Sequence, residues 1–338
     1  MPMQSTPECR PAQSSPLKIS GKAYVGIDIG AYRLDVCFRP EDGSPGYFFS
    51  VSNDTCGFKK IRRLLTKLSV ACIVCEATGK LERPLIRYLG QQGFCVAVLN
   101  PVQSVNFRKV CGKLAKTDRL DAALLARFGQ VMQPTAKPLP DEHVLTLRDL
   151  VVRRRQTVGM RTAESNRSLR TDSPLAKKFI AENLRRFDRQ IEKLDKNIKD
   201  YAAACPALQA KIDLLRSIPG IGPVAALTLV AEMPELGSVS DAALAALAGL
   251  APMNNDSGLL NRRAKCKGGR KAVRSTLYLA AMAARRFNKP VALFYERLVA
   301  KGKPKLVALN AAMRKLLIIA NHILASGQPW KNPLPIAS

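Results

Sequence analysis

Histidine, tryptophan and acidic residues are scarce in this chain of 338 residues. It has two histidines, His143 and His322, and one tryptophan, and only 26 Asp and Glu stand against 54 Lys and Arg. With so few histidines, we expect no histidine-based general acid–base mechanism. The formal net charge of +28 favours a polyanionic partner, because self-repulsion would penalise a compact fold that had none. Nucleic acid fits better than a membrane surface, since the basic residues are spread over the whole chain.

Long apolar runs are missing as well. No run approaches the ~18 residues of a membrane span. Residues 1–20 are rich in Ser, Pro and Gln and contain no apolar stretch typical of a signal peptide or an anchor. We therefore predict that the protein has no membrane partner.

The nine cysteines show neither a disulfide pattern nor a zinc pattern. They are odd in number and scattered, and most are set in apolar segments, as Cys37 and Cys95 are. Cys72 and Cys75 have the CxxC spacing but no second Cys/His pair nearby, so packing in a buried strand is favoured over zinc binding. Reduced, buried cysteines are typical of a cytosolic protein.

The chain is longer than one hydrophobic core usually organises, at about 150 residues per domain. We predict five segments from the changes in composition. They are a disordered leader (1–21), an α/β catalytic domain (22–136), a helical, coiled-coil connector (137–205), a mainly α C-terminal domain (206–328) and a loose tail (329–338).

Short β-rich runs at 23–29, 32–38 and 47–51 predict a three-strand meander. The chain then alternates a basic amphipathic helix, a buried strand, a second helix and a further strand, before helices that run to about Met132. This order is typical of the ribonuclease H fold, a mixed sheet with helices on its faces.

In the connector, apolar residues recur at alternating steps of four and three, the pattern of a heptad seam. They are Ile180, Leu184, Phe187, Ile191, Leu194, Ile198 and Tyr201. We expect an antiparallel hairpin, with 144–171 as the partner helix, or an intermolecular coiled coil. A helix packed on its own domain is the alternative.

Four acidic residues stand at positions typical of a catalytic site. Asp28 interrupts an apolar strand, where a buried carboxylate needs a cation or hydrogen bonds. Glu76 ends the buried strand that contains Cys72 and Cys75. Its carboxylate is therefore placed at the carboxyl end of a strand, where α/β sheets usually build their sites. Asp118 and Asp121 share one face at the start of a helix that Thr117 would cap.

Each of these acids alone fits a structural or capping role, but the four together favour a metal site. Carboxylates without accompanying histidine or cysteine predict Mg²⁺ or Mn²⁺, which bind phosphate oxygens and promote attack at phosphorus.

Two segments of the C-terminal domain favour contact with phosphates. Gly220 and Gly222 lie in a helix, glycine hairpin, helix pattern whose backbone N–H groups can approach a phosphate, with a plain αα corner as the alternative. The second segment is a basic run without an acid, which nucleic acid explains better than a solvated loop. Its basic residues are Arg262, Arg263, Lys265, Lys267, Arg270, Lys271 and Arg274.

Ser257 lies in a small polar turn just before the basic run. From chemistry alone, such a serine is more typical of a turn residue than of a nucleophile. Ser275 lies at the start of an apolar-periodic helix, and we interpret it as a helix-face residue.

Six motifs in this order resemble the insertion-sequence transposases with a RuvC-like DEDD domain. This is the family numbered one-ten, which includes the Piv-type invertases and the bridge-RNA-guided recombinases. The motifs are VGID (25–28), CEATG (75–79), NP (100–101), KTDRLDA (116–122), IPGIG (218–222) and GLAP (249–252). The resemblance extends over residues 22–328, with the connector helices as its poorest part.

The resemblance implies a bacterial DNA transposase or site-specific recombinase, cytoplasmic and associated with the nucleoid. The four acids would bind the metal, and Ser257 would form a phosphoserine link to the DNA of the element ends and the target. Lys116, in the fourth motif, joins the predicted nucleic-acid contacts. A structured guide RNA that pairs with donor and target DNA, and a dimer or tetramer of the chain, are further implications.

Two other functions stay open at this point. A Holliday-junction resolvase or nuclease would use the same four acids with water as the nucleophile. A non-catalytic scaffold would bind nucleic acid without needing them.

Overall fold

A computed structural model describes residues 10–11, 21–112, 117–136, 141–253 and 265–331. The chain divides into two compact units between Leu139 and Pro140, close to the predicted boundary at 136–137. Most of the predicted leader and tail lie outside the described residues.

The first unit is a six-stranded sheet with helices on its faces. Its strands are β1 (Arg10–Pro11), β2 (Lys22–Ile29), β3 (Arg33–Pro40), β4 (Tyr47–Ser52), β5 (Ser69–Glu76) and β6 (Val96–Leu99). Its helices are α1 (Thr55–Leu65), α2 (Arg83–Gln91), α3 (Pro101–Val110) and α4 (Asp118–Met132). The predicted meander and the alternation of helix and strand after it are confirmed, and β1 is an addition.

The strand order in this sheet is β1-β4-β3-β2-β5-β6. Strand β3 runs antiparallel to both β2 and β4, whereas β5 runs parallel to both β2 and β6. The register pairs Ile27 of β2 with Cys75 of β5. The carboxyl ends of β2 and β5 therefore meet at the same edge of the sheet, which brings the backbone of Asp28 beside that of Glu76.

The strand residues alternate between two helical layers. Val25, Ile27 and Ile29 face the core formed with α1 and α2, where Ile61 and Leu85 are fully buried. Because successive side chains of a strand point to opposite faces, Gly26 and Asp28 face the other layer, which is α4.

Helix α4 lies unusually close to β2 at Gly26. A Cβ atom at position 26 would stand 2.1 Å from the carbonyl oxygen of Ala122 and 2.3 Å from the amide nitrogen of Ala126. Only glycine allows this approach, because no side chain can occupy that space. The first turn of α4 is thereby held over the end of β2, where Asp28 lies.

The second unit is mainly helical, as predicted. Its helices are α5 (Glu142–Leu169), α6 (Pro174–Ala203), α7 (Pro206–Arg216), α8 (Pro223–Glu232), α9 (Asp241–Leu247), α10 (Lys271–Phe287), α11 (Lys289–Ala300) and α12 (Lys305–Ser326). Two short strands, β7 (Pro252–Met253) and β8 (Lys265–Cys266), pair antiparallel.

Helices α5 and α6 form an antiparallel hairpin within the chain. Polar pairs link them along its length: Arg154 pairs with Asp195, Arg161 with Asp188, and Asn183 donates to Glu164 at 3.0 Å. In addition, Arg155 of α5 pairs with the buried Glu232 of α8 at 2.9 Å. The hairpin is therefore joined to the rest of its unit, and an intermolecular coiled coil stays a prediction.

Helix α12 is long and apolar enough to cross a membrane by length and composition. Several of its apolar residues nevertheless belong to the core of the second unit, where Ala312, Leu316 and Leu317 are fully buried. The packing of α12 against α10 and α11 accounts for its composition.

We predict that Gly26→Ala destabilises the first unit by about 1–3 kcal/mol or more, because the new methyl group would push α4 off the sheet. Urea denaturation followed by circular dichroism measures the loss. Gly159→Ala is the control, since Gly159 is exposed within α5 with open space around it and the change should stabilise by up to ~1 kcal/mol. Equal stability of Gly26→Ala and the wild type would contradict the close approach.

Candidate active site

Asp28 lies near the carboxyl end of β2, on the side of the sheet that α4 covers. Burial raises the pKa of Asp28 to about 6, and the negative charges of Asp121, Asp118 and Asp35 add to the increase. A raised pKa of this origin means that a negative charge on Asp28 is poorly compensated. The first turn of α4 thus acts electrostatically on the end of β2.

Glu76 is the last residue of β5 and is partly buried. Its carboxylate accepts a hydrogen bond of 2.6 Å from the hydroxyl of Ser104, which is itself buried on α3. Helix α3 is fixed at its start by Asn100 and Gln103, which form a reciprocal capping box. The hydroxyl of Ser104 therefore orients the carboxylate of Glu76 without neutralising its negative charge.

Asp118 and Asp121 occupy the first turn of α4, and Thr117 caps the helix by accepting a hydrogen bond of 3.3 Å from the amide of Leu120. The predicted cap is confirmed. The two carboxylates differ in exposure, because 64% of the Asp118 side chain is exposed but only 15% of that of Asp121.

Each of these two acids is paired with an arginine. Arg33, at the start of β3, donates through Nη2 to Asp118 at 3.0 Å. Arg108, on α3 and one turn after Ser104, pairs with Asp121. Neither arginine is in the predicted set, because each pair joins residues that are distant in sequence and belong to different elements.

Asp35 is a fifth acid at this site and is also missing from the predicted set. It lies directly opposite Asp28 in the β2–β3 ladder and is 3% exposed. It accepts hydrogen bonds from Ser50 of β4 and from Nε of Arg33, the latter at 3.0 Å. Along β3, the side chain of Asp35 points to the face of the sheet opposite to that of Leu34 and Val36. This alternation could have marked Asp35 in the sequence, but only the strand register shows that it lies opposite Asp28.

The donor chemistry of this site fits a divalent cation. All the acids offer hard carboxylate oxygens, and a cation would neutralise the charge that raises the pKa of Asp28. Within the described ranges, however, no three Asp, Glu, His or Cys side chains lie close enough together to hold a metal ion. The ligand types are present at one edge of the sheet, but Asp118 and Asp121 are engaged by arginines.

Several predicted residues lie outside the described residues. These are Ser257, Arg262 and Arg263 in the C-terminal domain and Lys116 before α4. Their predicted roles therefore stay predictions.

The described part of the basic run contains two kinds of residue. Lys265, Lys267 and Lys271 are exposed. Arg270 instead forms two hydrogen bonds of 2.6 Å to Glu235 and a third of 2.8 Å to the carbonyl oxygen of Glu232. The guanidinium of Arg270 therefore anchors the run to the unit. Similarly, Arg274 donates to the carbonyl oxygen of Gly268 at 2.7 Å.

The predicted glycine hairpin joins α7 to α8. Gly220 has φ +100°, and an added Cβ would lie 2.6 Å from the Cβ of Ala284, so α10 packs directly against the turn. Gly222 is the N-cap of α8, and an added Cβ there meets nothing within 4 Å among the described residues. Close packing explains Gly220, whereas the start of α8 at Gly222 is open.

Two family models match this chain. The DEDD transposase model of IS110, described as "Transposase", matches residues 25–171, and "Transposase IS116/IS110/IS902 family" matches residues 212–296. Asp28, Glu76, Asp118 and Asp121 all lie in the first match. Ser257, the glycine hairpin and the basic run lie in the second.

Curated relatives are similar over nearly the whole chain. The "Pilin gene-inverting protein" of Moraxella bovis is 29% identical over 321 residues, which cover 91% of this chain and 98% of the relative. The protein of the same name from Moraxella lacunata gives the same identity and coverage. The "Putative transposase y4qE" of Sinorhizobium fredii is 28% identical over 298 residues, covering 78% of this chain and 74% of the relative.

We predict that Asp28→Asn stabilises the metal-free first unit at pH 8 by about 1–2 kcal/mol, after allowance for the partial exposure of Asp28. The raised pKa means that protonated Asp28 favours the folded state. This contribution is complete below the ordinary value of 3.8 and is lost as the pH rises through about 6. Asparagine stays neutral, so its advantage should be large at pH 8 and absent at pH 3.5.

Urea denaturation in EDTA at the two pH values measures this difference. Asp42→Asn is the matched control, since hydrogen bonds from Ser44 lower the pKa of Asp42 and its replacement should give no gain at pH 8. An Asp28→Asn protein less stable than the wild type at pH 8 would contradict the prediction.

Proposed function

The chain belongs to the IS110 family of transposases, and from that premise we propose that this DNA recombinase breaks and rejoins strands with an acidic metal site and Ser257. The observation that carries the proposal is the convergence of the acids on one edge of the sheet, where Asp118 and Asp121 act on the pKa of Asp28. Acids that merely capped α4 would have no reason to lie near two further acids, Asp28 and Asp35.

A ribonuclease-H-like assignment of the first unit rests on its topology. The antiparallel β2–β3–β4 meander continues into parallel β5 and β6, and Asp28 lies on β2, between β3 and β5. Helix α4 crosses the face of β2, β3 and β5 and supplies two further acids. This support is independent of the sequence motifs.

Asp28, Glu76, Asp118 and Asp121 are the residues that would hold Mg²⁺ or Mn²⁺. When bound, such an ion supplies a positive charge beside the phosphate oxygens and lowers the barrier to attack at phosphorus. Ser104 would keep Glu76 oriented, since its donated hydrogen bond leaves the other carboxylate oxygen available. The carboxylate of Asp35, which is buried beside Asp28, adds negative charge and so favours a bound cation further.

In the proposed reaction, Oγ of Ser257 attacks the scissile phosphorus. An Oγ–P bond forms as the serine hydroxyl loses its proton, the bond from phosphorus to one DNA oxygen breaks, and that oxygen takes up a proton, so the number of protons is unchanged. Attack by the hydroxyl of another DNA strand then reverses the chemistry and frees the serine, so the phosphodiester count is conserved. No histidine is assigned to this step, because the chain has only two, His143 and His322.

The proposed partners are DNA, at the element ends and the target, and a structured guide RNA. Lys265, Lys267 and Lys271 are exposed for phosphate contact, and α1 adds an exposed basic face without an acid. Its cations are Lys59, Lys60, Arg62 and Arg63. The proposed contacts also include Lys116, Arg262, Arg263, Arg274 and the open start of α8 at Gly222. Gly220 and Arg270 would position these contacts.

The proposal also includes a homo-oligomer, either a dimer or a tetramer. It places the protein in the cytoplasm, associated with the nucleoid.

We predict that Ser257→Ala abolishes a covalent protein–DNA adduct that the wild type forms on nicked suicide substrates. Denaturing electrophoresis of labelled DNA detects the adduct. Ser275→Ala is the matched control, because Ser275 is exposed on α10 and lies in the same matched segment. Strand cleavage that persists in Ser257→Ala would contradict the serine nucleophile and favour a resolvase or nuclease that uses water.

We predict that one discrete RNA copurifies with the protein from cells that carry the whole element. Sequencing that RNA and aligning it with donor and target DNA tests guidance by base pairing. Cells that express the coding sequence alone are the control. Recovery of only nonspecific fragments from both would contradict RNA guidance and favour direct reading of DNA.

A further inference from the structure

Arg33 bridges two acids of the candidate site, and we infer that it competes with the divalent cation for Asp118. In the metal-free protein Asp118 is held by Arg33, and a cation binds the carboxylate by displacing the guanidinium. This inference rests on the metal site of the proposed function. Within the described part of the chain the acids at this sheet edge do not form a ligand group, and Asp118 is held by Arg33 at 3.0 Å.

The two ends of the bridge differ in their surroundings. Nε of Arg33 donates to Oδ2 of Asp35 at 3.0 Å, and Nη2 donates to Oδ2 of Asp118 at 3.0 Å. Asp35 is buried in the sheet and also accepts from Ser50, so its position is fixed by two donors. Asp118, in the first turn of α4, is largely exposed. The end at Asp118 is therefore the one that can open.

The exposure of Arg33 and Asp118 also limits the strength of their ion pair. The side chains of Arg33 and Asp118 are 58% and 64% exposed, so water screens their attraction. An exposed ion pair of this kind changes an equilibrium only about two- to fivefold. A cation with several carboxylate ligands easily exceeds that, which makes Arg33 a weak competitor and keeps Asp118 available.

Arg108 has a different relation to its acid. The side chains of Arg108 and Asp121 are only 21% and 15% exposed, so their ion pair is far less screened than that of Arg33 and Asp118. Arg108 also lies one turn from Ser104, the residue that orients Glu76. We assign Arg108 to positioning Asp121 and restrict the exchange with metal to Arg33.

The test is the affinity of the full-length protein for Mn²⁺, measured by titration calorimetry after removal of metal with EDTA. Arg33→Gln removes the competing charge and should bind Mn²⁺ about two- to fivefold more tightly than the wild type. Arg33→Lys keeps the positive charge and should stay close to the wild type. Circular dichroism melts verify that each variant is folded.

Arg39→Gln is the matched control for the loss of one charge. Arg39 lies on the same strand, about 20 Å further along it, and donates to Gln130 at 2.6 Å. Its replacement should leave the Mn²⁺ affinity unchanged. Equal gains in Arg33→Gln and Arg39→Gln would overturn the inference, because a general charge effect would then explain them.

Failure of the inference can be told apart from failure of the proposed function. If the wild type binds Mn²⁺ and Asp28→Asn does not, the metal site stands. In that case, unchanged or weaker binding by Arg33→Gln overturns only the competition. If neither the wild type nor Arg33→Gln binds Mn²⁺, the metal site of the proposed function fails, and the competition fails with it.

Discussion

The contact between α4 and β2 at Gly26 is the constraint on which the candidate site depends. No side chain fits between the two backbones at this point. Ala122 and Ala126, which face Gly26, lie within the first three turns of α4, so the first turn is held over the end of β2. The positions of Asp118 and Asp121 relative to Asp28 follow from this packing, and the chemistry of the site follows from those positions.

The close approach of α4 to β2 also brings several negative charges together. Five acids, with Asp35 among them, lie at one edge of a sheet in a chain whose net charge is +28. Arg33 and Arg108 offset part of the charge at Asp118 and Asp121, whereas Asp28 keeps a raised pKa. A site with this residual negative charge is suited to a divalent cation and, through that cation, to a phosphodiester.

Much of the first unit could be predicted from the sequence because its signals are local. Short β-rich runs predicted the strands, and Thr117 before an acidic first turn predicted the start of α4. Asp28 and Glu76 stood out as acids in apolar strands. The roles of Asp35, Ser104 and Arg108 could not be predicted in this way, because they arise from the register of β3 and from the placement of α3 against the sheet. Arg270 shows the same limit, since Glu235, its partner, is distant in sequence. Ser257 rests on family resemblance.

The most direct test is a crystal structure of the full-length protein with Mn²⁺, in which anomalous scattering locates the metal. We predict Mn²⁺ at the edge of the sheet where β2 and β5 end, bound by Asp28, by Glu76 and by an acid of the first turn of α4. Asp118 should then no longer accept from Arg33. Mn²⁺ bound elsewhere, or no Mn²⁺ at this edge while the protein remains active in recombination, would contradict the acidic metal site.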